Sequence, residues 1–168
     1  IIGTTALVSF LTTPIAIRIA KKYGLLTDIS KRNHPAHTHS GIVPRGGGIP
    51  IFLALLIGCA LFIPFNKIII GILISNALLL MVGLWDDKYD SSPYLRFIMN
   101  ISIAAIVVGF GLGIPFVSNP FGGVIELNTL KFTFEFFGSH TILIIADVLA
   151  VIWLSWTMNM VNWSKGVD

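Results

Sequence analysis

Residues 83–90 read Gly-Leu-Trp-Asp-Asp-Lys-Tyr-Asp. The aspartates of this stretch follow directly on the apolar segment over 68–85, so Asp86, Asp87 and Asp90 are predicted to lie where a membrane span ends and water begins. Adjacent carboxylates at such a boundary repel one another and favour a bound cation or a metal-bound phosphate. For this stretch alone, an acidic helix end that only faces solvent is the alternative.

The composition is that of an integral membrane protein. Of the 168 residues, 55% are hydrophobic and 11% are charged, whereas about a quarter of the residues in a soluble domain are charged. The net charge is only +3, and no dense Lys/Arg run with interleaved aromatic residues occurs, so no nucleic acid partner is expected. Cys59 is the one cysteine, which excludes an internal disulfide.

Five apolar segments predict five transmembrane helices, over 1–20, 49–64, 68–85, 94–116 and 141–161. A helix needs about twenty residues to cross a hydrocarbon core of about 30 Å, and shorter segments are tolerated when their flanks reach the interface. The predicted fold class is an all-α polytopic membrane protein, with 1–168 as a single transmembrane domain. Since the chain starts inside an apolar run and stops without a cap, we expect it to be truncated at both ends.

The loop over 117–140 predicts a small external β-hairpin. Two stretches of alternating residues, 124–127 and 130–136, flank Asn128 and Thr129. Beyond this loop, Asp147 lies near the outer end of the fifth segment. A carboxylate inside a span is a functional candidate by default, but contact with the interface or with a polar group of a neighbouring helix is the simpler interpretation.

The basic residues are divided unequally between the two sides of the membrane. Five spans put the loops over 21–48 and 86–93 and the tail after 161 on one side, and all Lys and Arg residues except Lys67 and Lys131 belong to that side. By the positive-inside rule, this side is cytoplasmic. The polar motifs are therefore predicted to meet in the cytoplasm.

The first cytoplasmic loop has features of a phosphate-binding site. Lys31, Arg32 and Arg45 supply charged donors, and an arginine presents a planar fork that suits phosphate oxygens. The glycines over 46–48 begin the second span, where backbone N–H groups can approach an anion. The competing interpretation is that the basic residues mark topology and the glycines form a flexible joint.

Two amides lie near the end of the fifth span. Asn159 and Asn162 are three residues apart, so they share one face of a helix end and could offer amides to a sugar, a base or a metal. Helix capping is the alternative for either residue.

Together these motifs resemble the polyprenyl-phosphate N-acetylhexosamine-1-phosphate transferases, known as glycosyltransferase family 4. This family includes undecaprenyl-phosphate N-acetylglucosamine-1-phosphate transferases and the phospho-N-acetylmuramoyl-pentapeptide transferase. The motifs that carry the resemblance, in chain order, are Asp28-x-x-Lys-Arg-x-His34, Pro44-Arg-Gly-Gly, Gly83-Leu-Trp-Asp-Asp-x-x-Asp90 and Asn159-x-x-Asn162-x-x-x-Gly-x-Asp168.

The resemblance implies a Mg²⁺-dependent glycosyl-1-phosphate transferase, with Mn²⁺ as an alternative ion. Such an enzyme transfers the sugar 1-phosphate of a cytosolic UDP-N-acetylhexosamine to a membrane polyprenyl phosphate, which yields a polyprenyl-diphospho-sugar and UMP and initiates cell-envelope glycan synthesis. It also implies that these five helices belong to a larger fold of about ten helices, a multi-pass protein of the plasma membrane with cytoplasmic active-site loops, and a homodimer.

The resemblance also implies roles for particular residues. The catalytic carboxylates would be Asp86 and Asp87. The residues that bind phosphate or nucleotide would be Lys31, Arg32, His34, Arg45, Asn159, Asn162 and Asp168. Asn162 would also lie near Mg²⁺, while the principal metal ligand is expected beyond Asp168, so the chain alone is expected to be inactive.

Other functions remain as alternatives. Lys165 replaces an aspartate that most members of the family carry, and this leaves open a lipid-phosphate-binding membrane protein that has lost catalysis. A fragment of a transporter, with Asp147 and the loop carboxylates as an ion path, would need polar residues along several spans, and the second to fourth segments contain almost none.

Overall fold

The computed structural model describes residues 1–28, 42–135 and 139–163. Five helices occur in this part of the chain: α1 (Ile2–Tyr23), α2 (Gly48–Phe62), α3 (Lys67–Tyr89), α4 (Pro93–Gly109) and α5 (Ile144–Trp163). Helices that are neighbours in sequence pack against one another, α1 on α2, α2 on α3, α3 on α4 and α4 on α5. The predicted all-α membrane architecture is confirmed.

The helices differ in length. By length and composition, α1, α3 and residues 144–161 of α5 can cross a membrane. The helices α2 and α4 have 15 and 17 residues, and at about 1.5 Å per residue they are shorter than a hydrocarbon core of about 30 Å. All five predicted helices are therefore present, and two of them are too short to span the core alone.

The end of α4 departs from the predicted segment over 94–116. Helical structure stops at Gly109, because alternating glycines and then Pro115 follow, and Gly111 adopts a left-handed φ of 104°. A similar shift occurs before α5, since residues 141–143 belong to a strand rather than to the helix. Both differences lie at the end of the molecule that carries the connection between α4 and α5.

The helix α3 is longer at its C-terminal end than predicted. It begins at an N-cap, where the Asn66 side chain accepts a hydrogen bond from Ile69 N at 2.9 Å. It ends at Asp90, which has a left-handed φ of 55° and donates its N–H to Asp86 O at 2.8 Å. The assignment of residues 86–93 to a loop is therefore wrong for Asp86 and Asp87, which lie in the last turn of α3.

Three antiparallel strand pairs connect the helices. The strands β1 (Leu26–Asp28) and β2 (Ile42–Pro44) pair between α1 and α2. Between α4 and α5, β3 (Phe116–Ser118) pairs with β4 (Val124–Glu126), and β5 (Lys131–Glu135) pairs with β6 (Ser139–Leu143). Antiparallel strand pairs are thus present between α4 and α5, but the expected pairing across Asn128 and Thr129 is wrong.

The turn between β3 and β4 explains this pairing. Asn119 accepts hydrogen bonds from Phe121 N through its side chain and from Gly122 N through its carbonyl group, both at 3.0 Å. Gly122 and Gly123 have φ angles of 111° and 80°, which glycine adopts at little cost. This local turn gives β4 a partner that precedes it in the chain.

Small residues form the contacts between helices. Ala16, Ala20, Ala54, Ala104 and Ala146 are buried, whereas many large apolar side chains face outward. Two apolar surfaces gain little from burying each other in lipid, so helices associate there through close van der Waals packing, which small residues permit. The pattern is that of a helix bundle built for a bilayer.

The contact of α3 with the end of α4 requires Gly71. A methyl group at this position would overlap Phe110 Cβ and Cγ. We predict that Gly71→Ala lowers the free energy of unfolding by about 1–3 kcal/mol and reduces the melting temperature of the detergent-solubilised full-length protein.

Gly83→Ala is the matched control on the same helix. An added Cβ there meets no atom within 4 Å, so helix propensity should stabilise the protein by up to about 1 kcal/mol. Equal melting temperatures of Gly71→Ala and the wild type would contradict the close packing at Phe110.

Candidate functional site

The carboxylate of Asp86 is held by two side chains that follow it in the chain. Arg96 Nη2 donates to Asp86 Oδ1 at 2.9 Å, and Ser91 Oγ donates to the same oxygen. Ser91 precedes α4, whose N-cap is Ser92 and whose first helical position is Pro93. The tight connection between α3 and α4 therefore places the guanidinium of Arg96 against the last turn of α3.

The neighbouring carboxylate, Asp87, faces a different arginine. Arg45 Nη1 lies 3.5 Å from both Asp87 Oδ1 and Asp87 O. Arg45 directly follows β2 and donates its backbone N–H to Leu25 O at 2.8 Å, so the β1–β2 pair fixes its position. Two adjacent negative charges are thus each accompanied by a cation from a separate element, which reduces their mutual repulsion.

A cleft of about 530 Å³ opens beside these ion pairs, between α3, α4 and α5. Its polar lining residues are Asp86, Asp87, Arg96, Asn100 and Thr157. Asn100 follows Arg96 by one helical turn, and it is 92% buried (8% exposed) in an otherwise apolar helix. We call this space the aspartate cleft; its mixture of carboxylates, a guanidinium and an amide can bind a polar ligand at the end of the bundle.

A second, mainly apolar groove of about 240 Å³ lies between α2 and α3. Phe52, Leu55 and Leu80 line it, and it reaches Asp87. Asp87 therefore borders both an apolar groove and the aspartate cleft.

The glycines at the start of α2 have structural roles beside this groove. A Cβ atom at Gly48 would lie 3.1 Å from Leu80 Cδ1, so glycine permits the close approach of α2 to α3. Gly46 has a φ of 105°, which favours glycine in the turn after Arg45. Their predicted part in binding an anion stays a prediction.

The predicted amide Asn159 is buried within the bundle. Its Nδ2 donates to Ser155 O at 2.7 Å, one turn earlier in α5. Thr157, Met158 and Val161 of the same helix line the aspartate cleft, whereas Asn159 is not among the lining residues. The side-chain amide of Asn159 therefore donates a hydrogen bond within its own helix.

The remaining predicted site residues cannot be placed relative to the cleft. Lys31, Arg32, His34 and Asp168 lie outside the described residues, and so does the side chain of Asn162. Their predicted roles in binding phosphate, nucleotide or metal stay predictions.

Several residues of the site were missed from the sequence. In the sequence, Arg96 serves only as one of the basic residues that indicate topology, and neither Ser91 nor Asn100 belongs to a predicted motif. Two signals were present: an amide inside an apolar helix, and the helix start Ser-Pro directly after the acidic stretch, which brings the first turn of α4 close to the end of α3.

Asp147 lies elsewhere and has a structural role. Its Oδ2 accepts a hydrogen bond from Leu143 N at 2.9 Å, in the first turn of α5. A carboxylate at this position also interacts favourably with the helix dipole. Asp147 borders a cavity together with Lys67 and Gly113. This cavity lies at the start of α3 and the end of α4, whereas the aspartate cleft lies at the end of α3 and the start of α4.

The described residues do not by themselves form a magnesium site. Within 1–28, 42–135 and 139–163, no three His, Cys, Asp or Glu side chains are grouped so that they could hold a metal ion. In addition, Asp86 Oδ1 already accepts hydrogen bonds from Arg96 and Ser91. The two aspartates could supply at most part of a coordination shell.

A protein-family model matches the part of the chain that contains the acidic pair. The sequence model of glycosyl transferase family 4 matches residues 69–168, which include most of α3, the acidic pair and α5. The chain belongs to glycosyl transferase family 4.

Two bacterial proteins are similar to this family 4 chain. It is 31% identical over 167 residues to the probable undecaprenyl-phosphate N-acetylglucosaminyl 1-phosphate transferase of Bacillus subtilis. The aligned region covers 96% of this chain and 42% of that protein. It is 30% identical over 109 residues to the undecaprenyl-phosphate alpha-N-acetylglucosaminyl 1-phosphate transferase of Pasteurella multocida, covering 64% of this chain and 29% of that one. The chain thus spans less than half the length of these relatives. No solved structure matches it.

The pairing of Arg45 with Asp87 in the family 4 chain can be tested by measuring the stability of a charge-reversal variant. Arg45→Glu would put a third carboxylate beside Asp86 and Asp87, and we predict a loss of about 1 kcal/mol in unfolding free energy. The loss should shrink in high salt, because the Debye length falls from about 10 Å at 0.1 M to about 3 Å at 1 M.

Arg18→Glu makes the same charge change at an exposed arginine of α1 and serves as the control. Melting temperatures are measured in detergent at both salt concentrations. If the two variants have the same melting temperature at both salt concentrations, the proximity of Arg45 to Asp87 is refuted.

Proposed function

We propose that the full-length protein transfers N-acetylhexosamine 1-phosphate from a UDP-sugar to a polyprenyl phosphate, with release of UMP. The names of the relatives support an undecaprenyl-phosphate acceptor and an N-acetylglucosamine 1-phosphate group. The observation that carries the proposal is the pair of arginine-held aspartates at the mouth of the aspartate cleft, at the end of a helix long enough to span a membrane.

The reaction needs little covalent chemistry from the protein. An oxygen of the polyprenyl phosphate attacks the β-phosphorus of the UDP-sugar, and the bond from that phosphorus to the UMP oxygen breaks. Phosphoryl transfer of this kind depends on positioning and on charge stabilisation. In the proposal, Asp86 and Asp87 orient the attacking phosphate and accept its proton when it is protonated, while Lys31, Arg32, His34 and Arg45 hold phosphate oxygens.

The location of the aspartates suits two unlike substrates. A polyprenyl phosphate stays in the bilayer with its phosphate at the surface, and a nucleotide sugar stays in water, so they can meet only at the interface. The apolar groove between α2 and α3 ends beside Asp87, and the aspartate cleft opens on the other side of α3. This arrangement supports Asp87 as the point where a lipid and a soluble substrate meet.

We further propose that Mg²⁺ or Mn²⁺ serves as the cofactor and that Asn162 is one of its ligands. When bound, the ion would neutralise the diphosphate of the donor. The other ligands are expected in the part of the full-length protein that follows Asp168.

The site is proposed to lie on the cytoplasmic side of the plasma membrane. Lys21, Lys22, Arg45 and Arg96 cluster at the end of the bundle that carries the acidic pair, while Lys67 and Lys131 lie toward the other end. The positive-inside rule supports this orientation, and a UDP-sugar is available in the cytoplasm.

The catalytic role of Asp86 gives a direct test on the full-length protein. Membranes that contain it, with radiolabelled UDP-N-acetylglucosamine, polyprenyl phosphate and Mg²⁺, should form a chloroform-soluble product. Asp86→Asn is expected to reduce the rate by at least about 100-fold, since it removes the anionic oxygen that accepts the proton. Replacing Mg²⁺ by EDTA should stop product formation.

Asp147→Asn is the matched control, because asparagine can still accept the hydrogen bond from Leu143 N. It should form product at close to the wild-type rate. Undiminished product formation by Asp86→Asn would rule out the catalytic assignment, and the absence of product from the wild type would rule out the proposed reaction.

A further inference from the structure

We infer that Arg96 and Ser91 are positioning residues that fix the carboxylate of Asp86 by one oxygen and leave the other oxygen to act on the substrate. This inference rests on the proposed function, in which Asp86 orients the attacking phosphate. It assigns roles to two residues outside the four motifs of the sequence.

The hydrogen bonds to Asp86 are unequally divided between its two oxygens. Both Arg96 Nη2 and Ser91 Oγ donate to Oδ1. Among the described residues, no hydrogen bond ends on Oδ2. A carboxylate held through a single oxygen by two donors keeps its plane and direction, while the second oxygen retains its lone pairs for a ligand in the aspartate cleft.

The two donors come from different parts of the chain. Ser91 lies in the connection that follows the C-cap of α3, and Arg96 belongs to the first turns of α4. A rotation of the Asp86 side chain would break both bonds at once. The carboxylate is therefore held at the junction of two helices rather than by its own helix alone.

Stability does not explain this arrangement. The side chains of Arg96 and Asp86 are 24% and 14% exposed, and ion pairs that still contact water contribute little to folding. In addition, the buried Nε of Arg96 has no hydrogen-bond partner among the described residues, which costs free energy. An arginine kept in an unfavourable position is better explained by the geometry that it imposes on Asp86.

Arg96 could instead bind a substrate phosphate directly, since it lines the same cleft. The two roles differ in kinetics. A positioning residue acts on the step in which the lipid phosphate attacks, so its loss lowers kcat, and a misplacement of about 1 Å can cost about 100-fold. An arginine that binds the nucleotide sugar equally before and during reaction would raise KM and leave kcat unchanged.

The test uses purified full-length protein in detergent with polyprenyl phosphate, and it compares kcat and the KM for the UDP-sugar. We expect Arg96→Ala to lower kcat by about 100-fold and to leave KM within about threefold of the wild type. Millimolar guanidinium should restore part of the kcat of Arg96→Ala, and Arg96→Lys should retain more activity than Arg96→Ala. The exposed Arg18→Ala is the control and should behave as the wild type with and without guanidinium.

Ser91→Ala provides a second variant that removes only one hydroxyl group. It should lower kcat by about tenfold without a change in melting temperature, and it decides the inference if Arg96→Ala does not fold. Any one of three results would overturn the inference. They are a wild-type kcat in Ser91→Ala, an effect of Arg96→Ala on KM alone, and a folded Arg96→Ala whose kcat guanidinium does not restore. A wild-type protein that forms no product would instead refute the proposed function itself.

Discussion

Two adjacent carboxylates at the end of an apolar helix are the constraint on which the rest of the structure depends. Asp86 and Asp87 cannot enter the hydrocarbon region, and they repel each other unless cations lie close by. Arg96 of α4 and Arg45 of the loop before α2 supply those cations at 2.9 and 3.5 Å. Because each arginine belongs to a different element, the two pairs lie where α3, α4 and the loop before α2 meet at one end of the bundle.

The helix packing below this end is suited to a bilayer. Buried positions are occupied mainly by alanine and other small residues, and large apolar side chains face outward. Two open spaces remain between these helices, the aspartate cleft and the apolar groove. Both of them border Asp87.

Local sequence signals were sufficient for much of the fold. The apolar segments gave the number and order of the helices, and the caps at Asn66 and Ser92 are local features. The predicted strand pairing across Asn128 and Thr129 is wrong, because the hydrogen bonds of Asn119 with Phe121 and Gly122 form a turn that pairs β4 with the strand before it. The predicted segment stops at residue 85, before the C-terminal end of α3 at Tyr89, because aspartates are unusual in a helix that spans a membrane.

The site was predictable in part. Asp86 and Asp87 stand out as charges beside an apolar helix, so the sequence indicates them directly. Arg45 is also predicted as a site residue, but its pairing with Asp87 is not, because Arg45 lies 42 residues before Asp87 and the pairing of β1 with β2 brings it near. Arg96, Ser91 and Asn100 join the site through the tight connection of α3 to α4. The Ser-Pro helix start indicates this connection, but the contact of Arg96 and Ser91 with Asp86 is tertiary and cannot be read from the local pattern.

Convergence of the motifs at one membrane face can be measured most directly by one-sided thiol labelling. In a Cys59→Ala background, single cysteines replace Ile42 at the start of β2, Tyr94 at the start of α4 and Phe121 in the β3–β4 turn, which are 65%, 83% and 97% exposed. An impermeant maleimide applied to oriented vesicles should label positions 42 and 94 from the same side and position 121 from the opposite side. Labelling of positions 42 and 94 from opposite sides would contradict a shared site for Arg45, Asp86 and Asp87.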